Sequence, residues 1–348
     1  MARLARSDHF APDEIAIVHV YNRVVRKSYL LGDDPVTGKN YNYRKGWIEE
    51  LIKNQARFFA VDILTFSIMC NHFHQVLRSR PDVVETWDDT EVARRWLMLC
   101  PQRKGADGQG LEPNDAELNS ILTDPEKLKK IRSRLSDISW WMRLLCQKIA
   151  QRANAEDEQV GRFWASRFRA VRILDEAGLL ACAAYVDLNP IRAALAELLE
   201  KSDHTSIQRR IESMQEKTSD VNLPRSDNFL APLSIDELRD AIGPCPNVRG
   251  ERASDKGFLA MSIASYIELL DWTARKIVPG KSGATPADAP EVLQRLQLDE
   301  QVWFELVSNF GQLFSLVAGR PTVIEAARSR HRNSRYRATH RLRELIPS

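Results

Sequence analysis

Apolar positions along this chain follow two periods. Ile15-Ala16-Ile17-Val18-His19-Val20-Tyr21 is short and rich in β-branched residues, which predicts a buried strand. Trp47, Leu51 and Ile52 then recur at helical spacing and predict a helix over 47–59. Residues 61–77 read as one further strand, and residues 80–135 as a charged, mixed connection with a glycine-rich loop at 105–110. From 137 to 154, Ile138, Trp141, Met142, Leu145 and Ile149 share one helical face, so its tryptophans belong to the core, with Trp140 also able to stack on a base. Phe168 to Leu174 alternates as a strand. A helix then opens near Asp175, an N-cap residue type, and carries Leu179, Leu180 and Ala184. Strands and helices in turn, each buried on one side, predict an α+β sandwich.

The pattern changes beyond residue 205. Segments 218–224, 244–255 and 279–290 are polar and rich in chain breakers, and read as links. Between them, 258–278 carries Ile263, Ile267, Leu270 and Ala274 in helical register, and 302–317 reads as another apolar helix. The expected organisation is therefore a unit over 1–204, with an insertion at about 80–135, and a mainly α-helical region over 205–348. Gly280-Lys281-Ser282 has the close of a phosphate loop, but Arg275 stands where the leading glycine belongs, so that reading is discarded. Asp33 and Asp34 beside Pro35 read as turn formers.

The candidate chemistry starts at Asn71-His72-Phe73-His74. Alternate residues of a strand share a face, so His72 and His74 lie side by side with Phe73 opposite. Two neutral imidazoles suit a divalent metal. Tyr185 and Asn189, four residues apart, meet on one helical face, although Pro190 bends or restarts the helix there. An amide oxygen can complete the ligand set, and a phenol can act as nucleophile.

These residues resemble the HUH single-tyrosine transposases, named for a His-hydrophobic-His motif, and within them the REP-associated tyrosine transposases. The likeness runs over roughly residues 12–200. It is carried by Tyr21-Asn22-Arg23 closing the first strand, by Asn71 to His74, and by Ile138-Ser139-Trp140-Trp141-Met142-Arg143. Asn154, Gly161-Arg162-Phe163-Trp164, Arg167-Phe168 and the run Tyr185 to Ala193 extend it. The resemblance implies a ferredoxin-like antiparallel sheet with helices on one face. It implies Mg²⁺ or Mn²⁺ on His72, His74 and Asn189, and single-stranded or hairpin DNA cut through a 5′-phosphotyrosine on Tyr185. It allows a monomer or a homodimer. Three features depart from the family: Cys70 replaces a usual turn-former, Gln75 replaces an apolar residue, and the 80–135 connection is long. That connection can be a lid, a nucleic-acid contact or a plain insertion.

Composition adds limits. With 348 residues, 43% apolar content and mean hydropathy −0.38, sizeable cores and a soluble protein are expected. Five scattered cysteines form no CxxC pair, so neither a zinc ribbon nor a disulfide framework is suggested, and the odd count is compatible with a reducing cytoplasm. No stretch approaches the ~20 apolar residues that span a bilayer. The expected location is cytoplasmic, at the nucleoid.

Net charge is only +3, but its distribution is uneven. Arg328, Arg330, Arg332, Arg335, Arg337, Arg341 and Arg343 accompany His331, His340 and Tyr336 with no acid between Glu325 and Glu344. This reads as a basic tail whose arginines contact DNA phosphates and whose Tyr336 stacks on a base. Arg23, Arg162, Arg167, Arg169 and Arg172 form a second basic group beside the expected site. Three functions compete: a DNA strand transferase, a catalytically inactive DNA-binding protein, and a metal-dependent nuclease using water.

Overall fold

The computed structural model describes residues 11, 13–25, 30–35, 37–106, 108–216, 224–240, 243–277, 290–331 and 333–346. Strand β1 (Ile17–Arg23) leads through helix α1 (Tyr43–Phe58) into β2 (Val61–Ile68) and β3 (His72–Ser79). Helices α2 (Asp89–Leu99), α3 (Asp115–Leu122) and α4 (Pro125–Arg134) follow, then the long α5 (Ile138–Glu156). Strand β4 (Arg169–Ile173) precedes α6 (Glu176–Asp187) and the short α7 (Asn189–Arg192). The rest is mainly helical: α8 (Ser206–Gln215), α9 (Ile263–Ile277), α10 (Glu300–Leu313), the two-residue β5 (Val317–Ala318), α11 (Pro321–Arg330) and α12 (His340–Leu345).

The fold is α+β, built on a five-stranded mixed sheet in the order β2-β3-β1-β4-β5. Four strands pair antiparallel, whereas β5 joins β4 in parallel through Arg172↔Val317 and Ile173↔Ala318. The sheet is thus not purely antiparallel, because the helical C-terminal region supplies its last strand. The apolar run expected as one strand over 61–77 is a hairpin. Met69 N–H bonds His72 O at 2.8 Å, and the chain reverses at Cys70-Asn71. That turn is clamped from outside: Leu31 N–H bonds Cys70 O and Val24 N–H bonds Asn71 O. A Cβ on Gly32 would stand 2.5 Å from Cys70 Cβ, so glycine permits this approach. The histidine motif therefore opens β3 instead of closing β2.

Helices cover both faces of the sheet, not one. On one face Val18, Val20, Phe73 and Leu77 pack with Ile48, Ile52 and Ala56 of α1 and with Trp141, Leu145 and Ile149 of α5. The buried Gln75, a departure from the family pattern, accepts the Trp141 indole N–H there at 2.8 Å. On the opposite face Val76, Val171 and Ile173 meet α6, with α9 and α10 beyond it. The reason lies in α6, whose residues are buried almost all round. A helix apolar on every side must be enclosed. Here the sheet encloses it below and the C-terminal helices above, in one shared core that continues across residue 204.

The chain after residue 204 is also bound to the sheet edge. Ile68 N–H bonds His204 O, Thr205 bridges Ser67, and Ala231 N–H bonds Ile63 O, so the outer strand β2 is covered. The connection 80–135 folds into α2, α3 and α4, whose Val92, Leu97, Ile121, Leu128 and Ile131 join the α1 side of the core. Helix α10 stops at Leu313, short of the expected 317, because Val317 has entered the sheet. The discarded phosphate-loop residues 280–282 and the link 218–223 lie outside the described residues. Among the described residues, no helix is long and apolar enough to cross a membrane.

Glu49 of α1 fastens this edge. Its carboxylate accepts His204 Nδ1 at 2.8 Å and Arg209 Nε at 2.6 Å, with Lys53 Nζ at 3.0 Å. Burial pushes the carboxyl up, but His204 and Arg209 outweigh it and hold it well below the ordinary 4.5. A carboxyl lowered on folding contributes fully above its unfolded pKa and loses that contribution as pH falls towards the folded value. Glu49→Gln should therefore cost about 3 kcal/mol at pH 7. Urea titrations should show the gap between wild type and variant narrowing below pH 4.5.

Candidate active site

The β1–β3 register assembles the imidazoles. Tyr21 lies opposite His74 and Arg23 opposite His72, so His19, Tyr21, Arg23, His72 and His74 share the α6 face. The His72 and His74 rings meet edge-on, with centroids 4.9 Å apart. His72 Nδ1 lies 2.6 Å from Asn71 Oδ1, and His74 Nδ1 lies 2.9 Å from His19 Nε2. Because an amide oxygen only accepts, His72 carries its proton on Nδ1 and keeps the Nε2 lone pair free. His74 Nε2 and His19 Nδ1 are buried and have no hydrogen-bond partner among the described residues. If His74 donates from Nδ1 to His19, it presents a second lone pair at Nε2.

Burial keeps these rings neutral. It pushes His19 down to about 3 and His72 to about 4, with the Arg23 charge adding to the effect on His72. His74 is held well below its ordinary value by burial, and then by His72, His19, Arg23 and Arg192. Neutral imidazole is the form that ligates metal.

Helix α6 brings the phenol. Asp175 caps it as expected, its Oδ1 accepting Gly178 N–H at 2.7 Å. At the far end Leu188 stays in the α region and α7 restarts at Asn189-Pro190, with proline in its first turn. The half-buried Tyr185 ring stands edge-on to His74 at 5.5 Å and to His19 at 6.0 Å. It stacks on Phe310 at 5.6 Å, and the Arg192 guanidinium lies 4.8 Å from its centroid. Burial raises the phenol above its ordinary pKa, while Arg192 pulls against that shift. Asn189 is 9% exposed, and its Nδ2 is buried with no partner among the described residues. Asp187, between the two, is pushed up to about 6 by burial, although Ser206 and Tyr266 hydroxyls and Ile207 N–H all bond it.

The arginines divide. Arg23, Arg162, Arg167 and Arg169 are exposed. Arg172 is not: it is 8% exposed and paired with Glu14, so it belongs to the structure and not to a DNA contact. Tyr336 is fully buried in the core shared by α6 and α10, which rules out the expected stacking on a base. Ala338 and Leu342 are buried with it, so the supposed tail is a packed layer. Its cations also meet acids: Arg341 pairs with Glu305 and Arg343 with Glu325 from other helices, and Arg328 pairs with Glu325 within its own helix. Arg330, Arg335 and Arg337 face solvent, and Arg332 lies outside the described residues.

Three neighbours escaped the sequence reading. His19 sits two residues before Tyr21 and so shares its face, a signal available from strand parity. Arg192 follows Tyr185 by seven residues, two helical turns, which was also legible. Phe310 arrives from a distant helix and left no local sign. Among the described residues no three His, Cys, Asp or Glu side chains form a metal-binding group.

No protein-family model matches this chain, and no curated protein matches it. Among solved structures, a REP-associated tyrosine transposase bound to a REP hairpin is similar at 10% identity and TM-score 0.29, over 60% of this chain and 84% of that one. A likeness of that size carries no argument about the chemistry.

Since Tyr336 and Arg172 are structural, their loss should act on stability first. Tyr336→Ala is expected to cost about 3–5 kcal/mol in chemical denaturation, as for a buried aromatic. Arg172→Ala is expected to destabilise by stranding Glu14.

Proposed function

We propose that this protein cleaves and rejoins single-stranded or hairpin DNA through a covalent phosphotyrosine on Tyr185, with Mg²⁺ or Mn²⁺ held by His72, His74 and Asn189. The observation carrying this reading is the Tyr185 ring standing 5.5 Å from a His74 whose Nε2 is buried and unpartnered. The donor set fits a cation. Both histidines have Nδ1 engaged, and the Asn189 amide, whose N and O are interchangeable by a flip, is likewise buried and unsatisfied at Nδ2. Two imidazoles favour Mn²⁺ on affinity, while abundance favours Mg²⁺. Such an ion, when bound, supplies Lewis-acid stabilisation of charge on the scissile phosphate.

The side chains of the protein do the rest. Tyr185 Oη loses its proton and bonds to phosphorus, the P–O3′ bond breaks, and the leaving 3′ oxygen takes up a proton. The DNA on the 5′-phosphate side stays attached to the protein. Attack by a 3′-hydroxyl on this ester restores a phosphodiester, exchanging one bond for another without ATP. Arg192, with no carboxylate partner among the described residues, stabilises the phenolate that burial alone disfavours. His19 acts as a positioning residue, holding the tautomer of His74. Phe310 shields one face of the phenol from water.

Incubation with 3′-end-labelled hairpin DNA and Mn²⁺ should transfer label to the protein, and Tyr185→Phe should abolish transfer while retaining DNA binding. Cleavage surviving in Tyr185→Phe would assign the reaction to water, and tight binding by the wild type without any adduct would assign a non-catalytic role. Mn²⁺ affinity read by electron paramagnetic resonance should fall at least 100-fold in His72→Ala, and about 10–100-fold in His19→Ala.

A further inference from the structure

A cavity of about 400 Å³ lies on the other face of the sheet, between α5 and the β1–β4 end. Trp140, Met142, Trp164 and Phe168 form its apolar walls, with Ser139 and Asn22 as polar points and Arg143 and Arg167 at the mouth. The lining contains no carboxylate. Arg143 and Arg167 are both exposed. Its volume falls at the lower end of the roughly 300–1,000 Å³ typical of small-molecule sites, which suits one nucleoside.

Trp140 lines this space from the margin of the core, against which it packs. It is half-buried and edge-on to Trp96 at 5.5 Å, and the Arg134 and Arg143 guanidinium groups sit 4.1 and 4.6 Å from its ring. Trp164 is fixed by its indole N–H to Cys146 O at 2.8 Å and by edge contacts with Phe73 and Phe163. Two fixed aromatic walls below a cationic mouth match an unstacked base with phosphates on either side.

The position gives the cavity its partner. Asn22, on its floor, is followed by Arg23, which pairs with His72 on the opposite face. Arg169 lies opposite Tyr21, and Arg167 at the cavity mouth is two residues before it. One end of the sheet therefore presents Arg23 and Arg169 on the histidine side and Arg143 and Arg167 on the cavity side. We infer that a single DNA strand crosses this sheet end, its backbone on these four arginines, with one base entering the cavity that Trp140 and Trp164 line. This rests on the strand-transfer reading above and adds to it a binding subsite for a base flanking the scissile phosphate.

The test uses the full-length protein in EDTA with two fluorescein-labelled probes: an oligothymidylate and an abasic deoxyribose-phosphate oligomer of equal length. Fluorescence anisotropy should show wild type favouring the base-bearing probe by about tenfold, as stacking of one base predicts. Trp140→Ala should reduce that ratio to near one. Ser139→Trp, which fills the cavity and removes no packing contact, should do the same and guards against misfolding of the first variant. A ratio unchanged in both variants, or a wild type indifferent to bases, would overturn the proposal. The label-transfer assay on the same preparations separates the two readings. An adduct without base discrimination sinks the subsite alone, whereas base discrimination without an adduct sinks strand transfer and leaves the cavity as a base-binding site.

Discussion

A slip of one residue in the β1–β3 ladder would put His19 on one layer and His72 and His74 on the other. The arrangement depends on that register. It is held by what lies on the other face: Val18, Val20, Phe73 and Leu77 are sealed against α1 and α5, and none could exchange places with His19 or His74 without burying unsatisfied polar groups or exposing hydrocarbon. Packing on one layer thus sets the chemistry of the other. The hairpin turn adds a second constraint, because Cys70 and Asn71 are bonded from the segment after β1 and fix where β3 begins.

The second support is the enclosure of α6. Its apolar surface would be untenable beside solvent, so α9 and α10 complete its surroundings. Asp187 fastens the exit of this helix to α8 through Ser206 and to α9 through Tyr266. A buried carboxyl with three donors is specific in direction, unlike hydrophobic contact, and so sets the rotation at which Tyr185 faces the histidines. Rigidity of this kind fixes where the phenol stands relative to the imidazoles.

Local signals were legible in the sequence and distant ones were not. Asp137 and Asp175 announce their helices because a cap is a contact with residues two or three positions on. His72 and His74 announce a shared face because strand parity is local, and Pro190 announces the restart at α7. The break between β2 and β3 was hidden, since Ser67 to Asn71 contains neither glycine nor proline and the alternation carries through. The strand β5 is two residues long and acquires its identity from β4. The basic segment misled for a similar reason: Arg341 and Arg343 are neutralised by Glu305 and Glu325 only once the chain has folded. Tyr336 looked available because its neighbours are charged, yet its ring fills a core assembled from remote helices.

The stacking of Phe310 on Tyr185 has a consequence for biosynthesis. The ribosome delivers the phenol long before the ring that covers it, and the parallel pairing of β5 with β4 must likewise wait until residues 317–318 have been made. Contacts separated by so much chain form late. A nascent polypeptide therefore carries both histidines and the helix of Tyr185 before the ring that walls one side of them has been made.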